Sequence, residues 1–285
     1  MKAVLTIAGS DSSGGAGIQA DLKTIAAHHL FGESVITALT AQNTLGVTGV
    51  LEVDPVFVGT QIDAVFDDIR PDAVKIGMVS SPAIVGAIAD GLDRHKAANV
   101  VVDPVMVATS GSALIAGAAV DALVRQLFPR STVITPNIPE AEVLSGMAIA
   151  SLEDVETAAS LIADRCIAVW ENEPAFADAA PSVPAILIKG GHGVGEPDAA
   201  DDYLRMASGE SVWLRGKRIT NDNTHGTGCS LSSAIACGLA RGFAVDVAVR
   251  DAKAYVAGAL AAGLNLGRGS GPLDHMWQYG APMPC

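Results

Sequence analysis

Ala3-Val4-Leu5-Thr6-Ile7-Ala8, running into Gly9-Ser10-Asp11-Ser12-Ser13-Gly14-Gly15-Ala16-Gly17, decides the fold class. The six apolar-rich residues have the near-continuous character that a strand buried on both faces requires. The glycines that follow permit positive φ and a close approach of backbone to a ligand, just before a helix opens. The same signature recurs at 34–40, 73–76, 99–102, 132–135 and 185–188, with helical patterns between. The clearest helix follows Asp54-Pro55, an N-cap and first-position proline, with Val58, Ile62, Val65, Phe66 and Ile69 on one face. Strand, helix, strand in this order implies right-handed crossovers and a mostly parallel sheet covered on both sides. Runs at 47–53, 201–206 and 211–217 read as edge or flap strands, and helices over about 226–241 and 246–264 close the chain.

No composition shift or long linker divides the 285 residues, so a single domain over 1–285 is expected. The stretch 170–184, rich in acids and proline, reads as a surface loop insertion. With 49% hydrophobic and 17% charged residues the chain can build a sizeable core, which excludes a disordered protein. A formal charge of −13 repels phosphate backbones and anionic lipid, so no nucleic acid and no membrane surface is expected as partner. No apolar run approaches the ~18 residues of a membrane span. The N-terminus reads straight into a strand without a signal-peptide core, and the four cysteines make no CxxC pair. A reduced, cytoplasmic setting is the expectation.

Ligands of such sheets sit outside the carboxyl ends of the strands. Gly15-Ala16-Gly17-Ile18-Gln19-Ala20 matches the dinucleotide fingerprint, but the second strand ends Thr40-Ala41-Gln42-Asn43, with no carboxylate to hold a ribose. A dehydrogenase is therefore disfavoured, and the absence of GxxxxGK[ST] excludes a P-loop NTPase. Gly226, Thr227 and Gly228 stand directly before a good helix. They gather free N–H groups and the positive end of a dipole at one point, which suits an anion or a phosphoryl group in flight. In the first turn, Cys229 should feel the same field, its thiol moved from ~8.5 toward neutrality; the plain alternative is a small buried apolar residue. Asp103 and Glu140 follow successive strands and could hold Mg²⁺ directly or through its waters. The alternatives are an Asp-Pro turn and charge placement at a helix start. Lys189, before Gly190-Gly191, suits polyphosphate charge or a solvated surface.

In that order, the Asn137-Ile138-Pro139-Glu140 turn, the Lys189-Gly190-Gly191 turn and the Gly226-Thr227-Gly228 helix start resemble those of the ribokinase-type sugar and vitamin kinases. Most of these carry an aspartate next; here Cys229 stands there. Together with the glycine loop, Thr40-Ala41-Gln42-Asn43-Thr44 and Asp103-Pro104-Val105-Met106-Val107, that cysteine closely resembles the pattern of the hydroxymethylpyrimidine/phosphomethylpyrimidine kinases of thiamine biosynthesis, over residues 4 to about 275.

The resemblance implies an α/β, ribokinase-like three-layer sandwich with a mostly parallel sheet and a small strand flap. It implies transfer of the ATP γ-phosphate to the hydroxymethyl oxygen of 4-amino-5-hydroxymethyl-2-methylpyrimidine, and then to the monophosphate. Gln42 would read the ring, with Gly9, Asp11 and Val107 lining the same pocket. Lys189, Asn137 and Thr227 would meet the nucleotide, Asp103 and Glu140 would hold Mg²⁺, and Cys229 would take the hydroxyl proton beside Gly226, Thr227 and Gly228. Thr109 stands where many relatives have lysine. A pyridoxal kinase is the nearest alternative, since its acceptor is also a hydroxymethyl on a six-membered nitrogen ring. A non-catalytic pyrimidine-binding protein is a third reading, expected to lose Asp103, Glu140, Lys189 or the glycine turn, all of which are present. Relatives are commonly homodimers in which a neighbour shields each pocket, a use that the short strand pairs would suit.

Overall fold

The structure, a computed structural model, describes residues 1–106, 117–173, 176, 182–191 and 194–280. In chain order the elements are β1 (Ala3–Asp11), α1 (Gly17–Ala27), β2 (Phe31–Asn43), β3 (Gly46–Glu52), α2 (Pro55–Phe66), β4 (Ala73–Ile76), α3 (Pro82–His95) and β5 (Val100–Val102). There follow α4 (Gly117–Ala122), β6 (Val133–Ile134), α5 (Ile138–Ser145), α6 (Leu152–Asn172), β7 (Ala185–Ile188), β8 (Asp202–Arg205), β9 (Ser211–Leu214), α7 (Thr227–Ala240) and α8 (Val245–Ala262). The strands form one nine-stranded sheet in the order β3-β2-β1-β4-β5-β6-β7-β8-β9. Pairing is parallel from β2 across to β7, and antiparallel for β3 at one edge and for β8 and β9 at the other.

The two-residue period of a strand divides the core in two. Leu5, Ile7, Val74, Ile76, Val100, Val102, Ile186 and Ile188 face one layer, packed against α2, α3, α5 and α6. Val4, Ala73, Val101, Ala185 and Leu187 face the other, against α1, α7 and α8. Helices on both faces of a mostly parallel sheet are the three-layer arrangement expected. The same alternation places Thr6 and Lys75 on the α1–α7 side, where both meet Asp21 of α1.

Three sequence expectations need correcting. Ile69 lies past the helix it was assigned to, beyond the C-cap Asp67, and is 46% exposed. β8 is no flap, because Tyr203 and Leu204 are buried within the sheet; only β3 and β9 lie at the edges. The stretch 170–184 does not begin as a loop, since α6 carries Trp170 to Asn172. Trp170 donates to Ser182 O at 2.7 Å and its ring lies 4.3 Å from that of Phe176, which is buried, so Phe176 and Ser182 both meet the end of the helix.

Candidate active site

The carboxyl ends of the strands border one cavity of about 1090 Å³, lined from Gln42 of β2 across to Trp213 of β9. Two loops from opposite ends of the chain meet in it. β1 outruns its apolar core through a register shift between Ala8 and Ser10, which carries Asp11 to the cavity edge. The Asp11 carboxylate accepts from Ser13 N–H and Oγ–H at 2.8 Å, Ala16 N–H at 2.8 Å and Gly15 N–H at 3.1 Å, and it pairs with His225 Nε2 at 2.8 Å. Burial alone would raise its pKa, but hydrogen bonds from His225, Ser13 and Ala16 hold it well below the usual carboxylate range. Asp11 therefore shapes the glycine loop, and its oxygens are already engaged by protein donors.

The helix start faces this loop. Gly226, at φ +85°, caps α7, and a Cβ there would lie 1.9 Å from Gly15 O, so only glycine lets the two backbones interlock. Thr227 N–H is taken by Thr224 O and Ser230 N–H by Gly226 O. Among the described residues nothing accepts from the N–H groups of Gly228 or Cys229, which leaves both as open donors in the first turn. The Thr227 hydroxyl donates to Thr224 O at 2.7 Å.

Cys229 corrects an expectation. It borders the cavity half-buried, its sulfur accepting the Gly17 N–H, but burial pushes its thiol up to about 11 despite the nearby Lys75 charge. The first-turn field does not bring it toward neutrality.

Below Gly228 lies a charged cluster. A Cβ on Gly228 would sit 3.3 Å from Asp103 Oδ2 and 3.4 Å from Lys189 Nζ, so both groups underlie the open amides. Lys189 Nζ donates to Asp103 at 2.9 Å, and Thr135 Oγ donates to the same oxygen at 3.0 Å. Burial would raise the Asp103 carboxyl, yet Lys189 and Lys75 together hold it below its ordinary value. Glu140 moves the other way: burial raises it, Asp103 adds repulsion, and the pull of Lys189 does not compensate. Glu140 also closes a capping box with Asn137, each side chain accepting the other's N–H, at 2.8 and 2.9 Å. The side-chain oxygen of Asn137 is thus committed to its helix, although the residue lines the cavity.

No cluster of three or more His, Cys, Asp or Glu side chains suited to a metal occurs among the described residues. The buried, mutually repelling Asp103 and Glu140 still fit Mg²⁺, an ion that keeps several waters and takes one or two carboxylates. Gly190 is required beside Lys189, because a Cβ there would lie 1.6 Å from Asp201 O.

Of the residues anticipated for the site, Gly9, Asp11, Gln42, Asp103, Asn137, Glu140, Lys189, Gly226, Thr227, Gly228 and Cys229 all line this cavity. Val107 and Thr109 lie outside the described residues. Sequence reasoning missed His225, whose partners Asp11 and Gln42 stand 214 and 183 positions away. It also missed Lys75, an isolated charge in an apolar run, and the cavity cations Arg250 and Lys253. Lys75 alone carried a local signal, since a charge inside a doubly buried strand must be paired.

A mostly parallel α/β sheet with an open helix start over paired carboxylates and a buried lysine is a setting suited to phosphoryl transfer onto a small molecule. A profile of the family described as phosphomethylpyrimidine kinase matches residues 11–274. A hydroxymethylpyrimidine/phosphomethylpyrimidine kinase of Streptomyces coelicolor is 48% identical over 277 residues, covering 97% of this chain and 95% of its own. The crystal structure of phosphomethylpyrimidine kinase from Clostridium difficile is 42% identical, with a TM-score of 0.74 over 90% of this chain and 98% of that one. An ADP complex of Bacillus subtilis pyridoxal kinase is 33% identical, with a TM-score of 0.85 over 99% of this chain and 100% of that one. Identity thus leans to the pyrimidine kinases while superposition leans to a pyridoxal kinase. The backbone is shared by both groups. The chain belongs to the phosphomethylpyrimidine kinase family, and it is a phosphotransferase.

Proposed function

We propose that the protein, as a single domain over 1–285, phosphorylates 4-amino-5-hydroxymethyl-2-methylpyrimidine with ATP and then phosphorylates the monophosphate, in thiamine biosynthesis. The observation that carries this reading is the pair of open N–H groups at Gly228 and Cys229, set between the glycine loop with Gln42 and the Lys189–Asp103–Glu140 cluster. The kinship with the Streptomyces enzyme supports the acceptor, and the ADP complex of the pyridoxal kinase supports the nucleotide.

Phosphoryl transfer is mostly positioning and electrostatics. Gln42 reads the aminopyrimidine edge with a donor and an acceptor. The Gly228 and Cys229 amides and Lys189 gather charge on the transferring group, while Arg250 and Lys253 border the cavity toward β8 and β9. Asp103 and Glu140 would hold Mg²⁺, which when bound neutralises phosphate charge. Cys229, bordering the cavity beside the open amides, would take the hydroxyl proton.

Cys229→Ala tests the reading, with alcohol and monophosphate assayed separately at saturating MgATP. An alcohol needs its proton removed during attack, whereas a phosphate monoester is largely ionised above its second pKa of ~6. The alcohol step should fall by ~10²–10⁴ and the second step far less. Because the thiol is raised to about 11, its thiolate is scarce at neutral pH. The wild-type alcohol step should therefore climb roughly tenfold per pH unit above 7, with the second step flat. Equal losses in both steps, with a flat alcohol profile, would refute Cys229 as the base.

A homodimer and a cytoplasmic setting belong to the same proposal. Leu39 and Leu51, cross-strand neighbours on one face of the β2–β3 edge, are exposed and form an apolar pair that a second copy would cover. Sedimentation equilibrium at micromolar concentration should give twice the 28.9 kDa of the chain, and a monomer there refutes the dimer. The cytoplasmic reading is supported by free Cys166, Cys229 and Cys237, and by the absence, among described residues, of a helix long and apolar enough to cross a membrane. Fractionation that left the protein outside the cytoplasm would overturn it.

A further inference from the structure

The amide of Gln42 is held by two contacts whose chemistry decides which way it points. Its nitrogen is placed 3.3 Å from His225 Nε2, and its oxygen accepts from Thr40 Oγ at 3.1 Å. The ionised Asp11 carboxylate can only accept, so the His225 nitrogen 2.8 Å from it carries a proton. That nitrogen then has no lone pair for an amide N–H, and two donors would face each other. At the other end, Thr40 Oγ has one proton, and its shorter acceptor is Ser10 O at 2.8 Å. Thr40 is left to accept from Gln42. Both ends call for the amide turned by half a rotation, a change of hydrogen-bond assignment at almost no cost in shape. In that orientation Oε1 becomes the second, longer acceptor of the one His225 Nε2–H, which Asp11 takes at 2.8 Å, Nε2 donates to Thr40, and one N–H and one lone pair remain for a ligand.

We propose that His225 is a positioning residue that determines specificity: its Nε2, kept protonated by Asp11, repels an amide N–H and so fixes the order of donor and acceptor that Gln42 shows to the ring of the acceptor substrate. The proposal rests on Gln42 reading that ring. An aminopyrimidine edge offers a ring-nitrogen acceptor beside an amine donor, which matches one amide N–H and one lone pair in fixed order. Pyridoxal has no such amine. An amide free to turn would adapt to either ring, so discrimination is what His225 contributes. The Cδ2 of His225 would lie 2.4 Å from a Cβ on Gly15, so the ring has little room to tilt and the order is held by packing as well.

The test compares His225→Leu, His225→Gln, Gln42→Leu and the His225→Leu/Gln42→Leu pair, with the aminopyrimidine alcohol and pyridoxal as acceptors. In His225→Leu, kcat/KM for the pyrimidine should fall ~10–100-fold, mostly through KM, with KM for ATP unchanged and pyridoxal altered little. His225→Gln, which can donate to both partners, should restore most of the preference. Once Gln42 is leucine, adding His225→Leu should cost no further discrimination. An unchanged pyrimidine-to-pyridoxal ratio in His225→Leu, or losses that simply add, would overturn the proposal. A second readout needs no turnover: the ¹⁵N-labelled side-chain amide of Gln42 should give two distinct, protected protons that merge or shift strongly in His225→Leu. Unshifted amide signals sink the inference. A wild-type enzyme that ignores the pyrimidine sinks the proposed function instead.

Discussion

Lys75 meets Asp21 at 2.8 Å and Lys189 meets Asp103 at 2.9 Å, both pairs lying under the first turns of α7. Around Asp21 the protein supplies further donors, Thr6 Oγ at 2.6 Å and Ser233 Oγ at 2.8 Å, and both members of the pair are sealed from water. Around Asp103 the further donors are longer, Thr135 Oγ at 3.0 Å and Ser232 Oγ at 3.5 Å, and the Lys189 side chain keeps 15% of its surface toward the cavity. The first pair is complete in itself and ties α1, β1, β4 and α7 together. The second has unspent hydrogen-bonding capacity beside the open amides of Gly228 and Cys229, where phosphate binding is proposed. Identical ionic chemistry thus serves architecture where saturated, and where left open it suits the phosphate-binding role proposed for Lys189.

Removing one partner of each pair tests this contrast. Lys75→Met should show the largest effect, since it strands a buried carboxylate at a cost of about 3–5 kcal/mol. Urea melts would read that loss, and Lys75→Met/Asp21→Asn should recover most of it. A single variant as stable as wild type would break the distinction from the sealed side.

Lys189→Met should lose less stability, because the cavity lets water reach Asp103. Its kcat/KM for MgATP should instead fall by ~10²–10³, the range for one charge-stabilising donor. Ligand linkage sharpens the point: MgATP at 100 times its Kd should stabilise wild type by about 2.7 kcal/mol, and Lys189→Met should forfeit most of that gain. Melts with equal nucleotide protection in both proteins would remove Lys189 from the phosphate site.

Glu140→Gln should be the mildest, because the amide oxygen still caps Asn137 and loss of the charge relieves the repulsion from Asp103. Its effect should appear as a higher Mg²⁺ concentration for half-maximal rate. Glu140 is raised above its ordinary value, so its protonated, weakly binding form gains as pH falls. The wild-type Mg²⁺ requirement should therefore rise toward acid, and the Gln variant should lose that slope. Matching titrations across pH would return Glu140 to helix capping alone.

Much of this arrangement was legible in the chain because strands buried on both faces leave apolar runs that need no partner to be recognised. Ala73–Ile76 and Ala185–Ile188 stand where they were expected. The carboxylates at strand ends were legible for a related reason: Asp103 and Glu140 sit at points where backbone direction alone places them on the ligand side. Relations between distant segments were not legible. Asp11 was expected near the acceptor, yet its oxygens are taken by its own loop and by a histidine with no local mark of that role. For Cys229 the helix start argued for an acidic thiol, but the outcome was set by desolvation, which depends on what α1 and β4 bring around it.

The interlock of Gly226 with the Gly15 carbonyl bears on how the molecule comes into being. β1, β2 and α1 are neighbours in sequence and can associate while the chain is still short. The contact between Asp11 and His225 spans 214 positions and can close only after α7 has docked. Contacts of such separation bear the largest loop-closure entropy and tend to form late. A chain halted before residue 229 can own most of its sheet and still lack the amides proposed to receive phosphate. Turnover therefore reports completed folding more stringently than helix or strand content does, and recovery of activity should trail recovery of circular dichroism when the denatured protein is diluted into buffer.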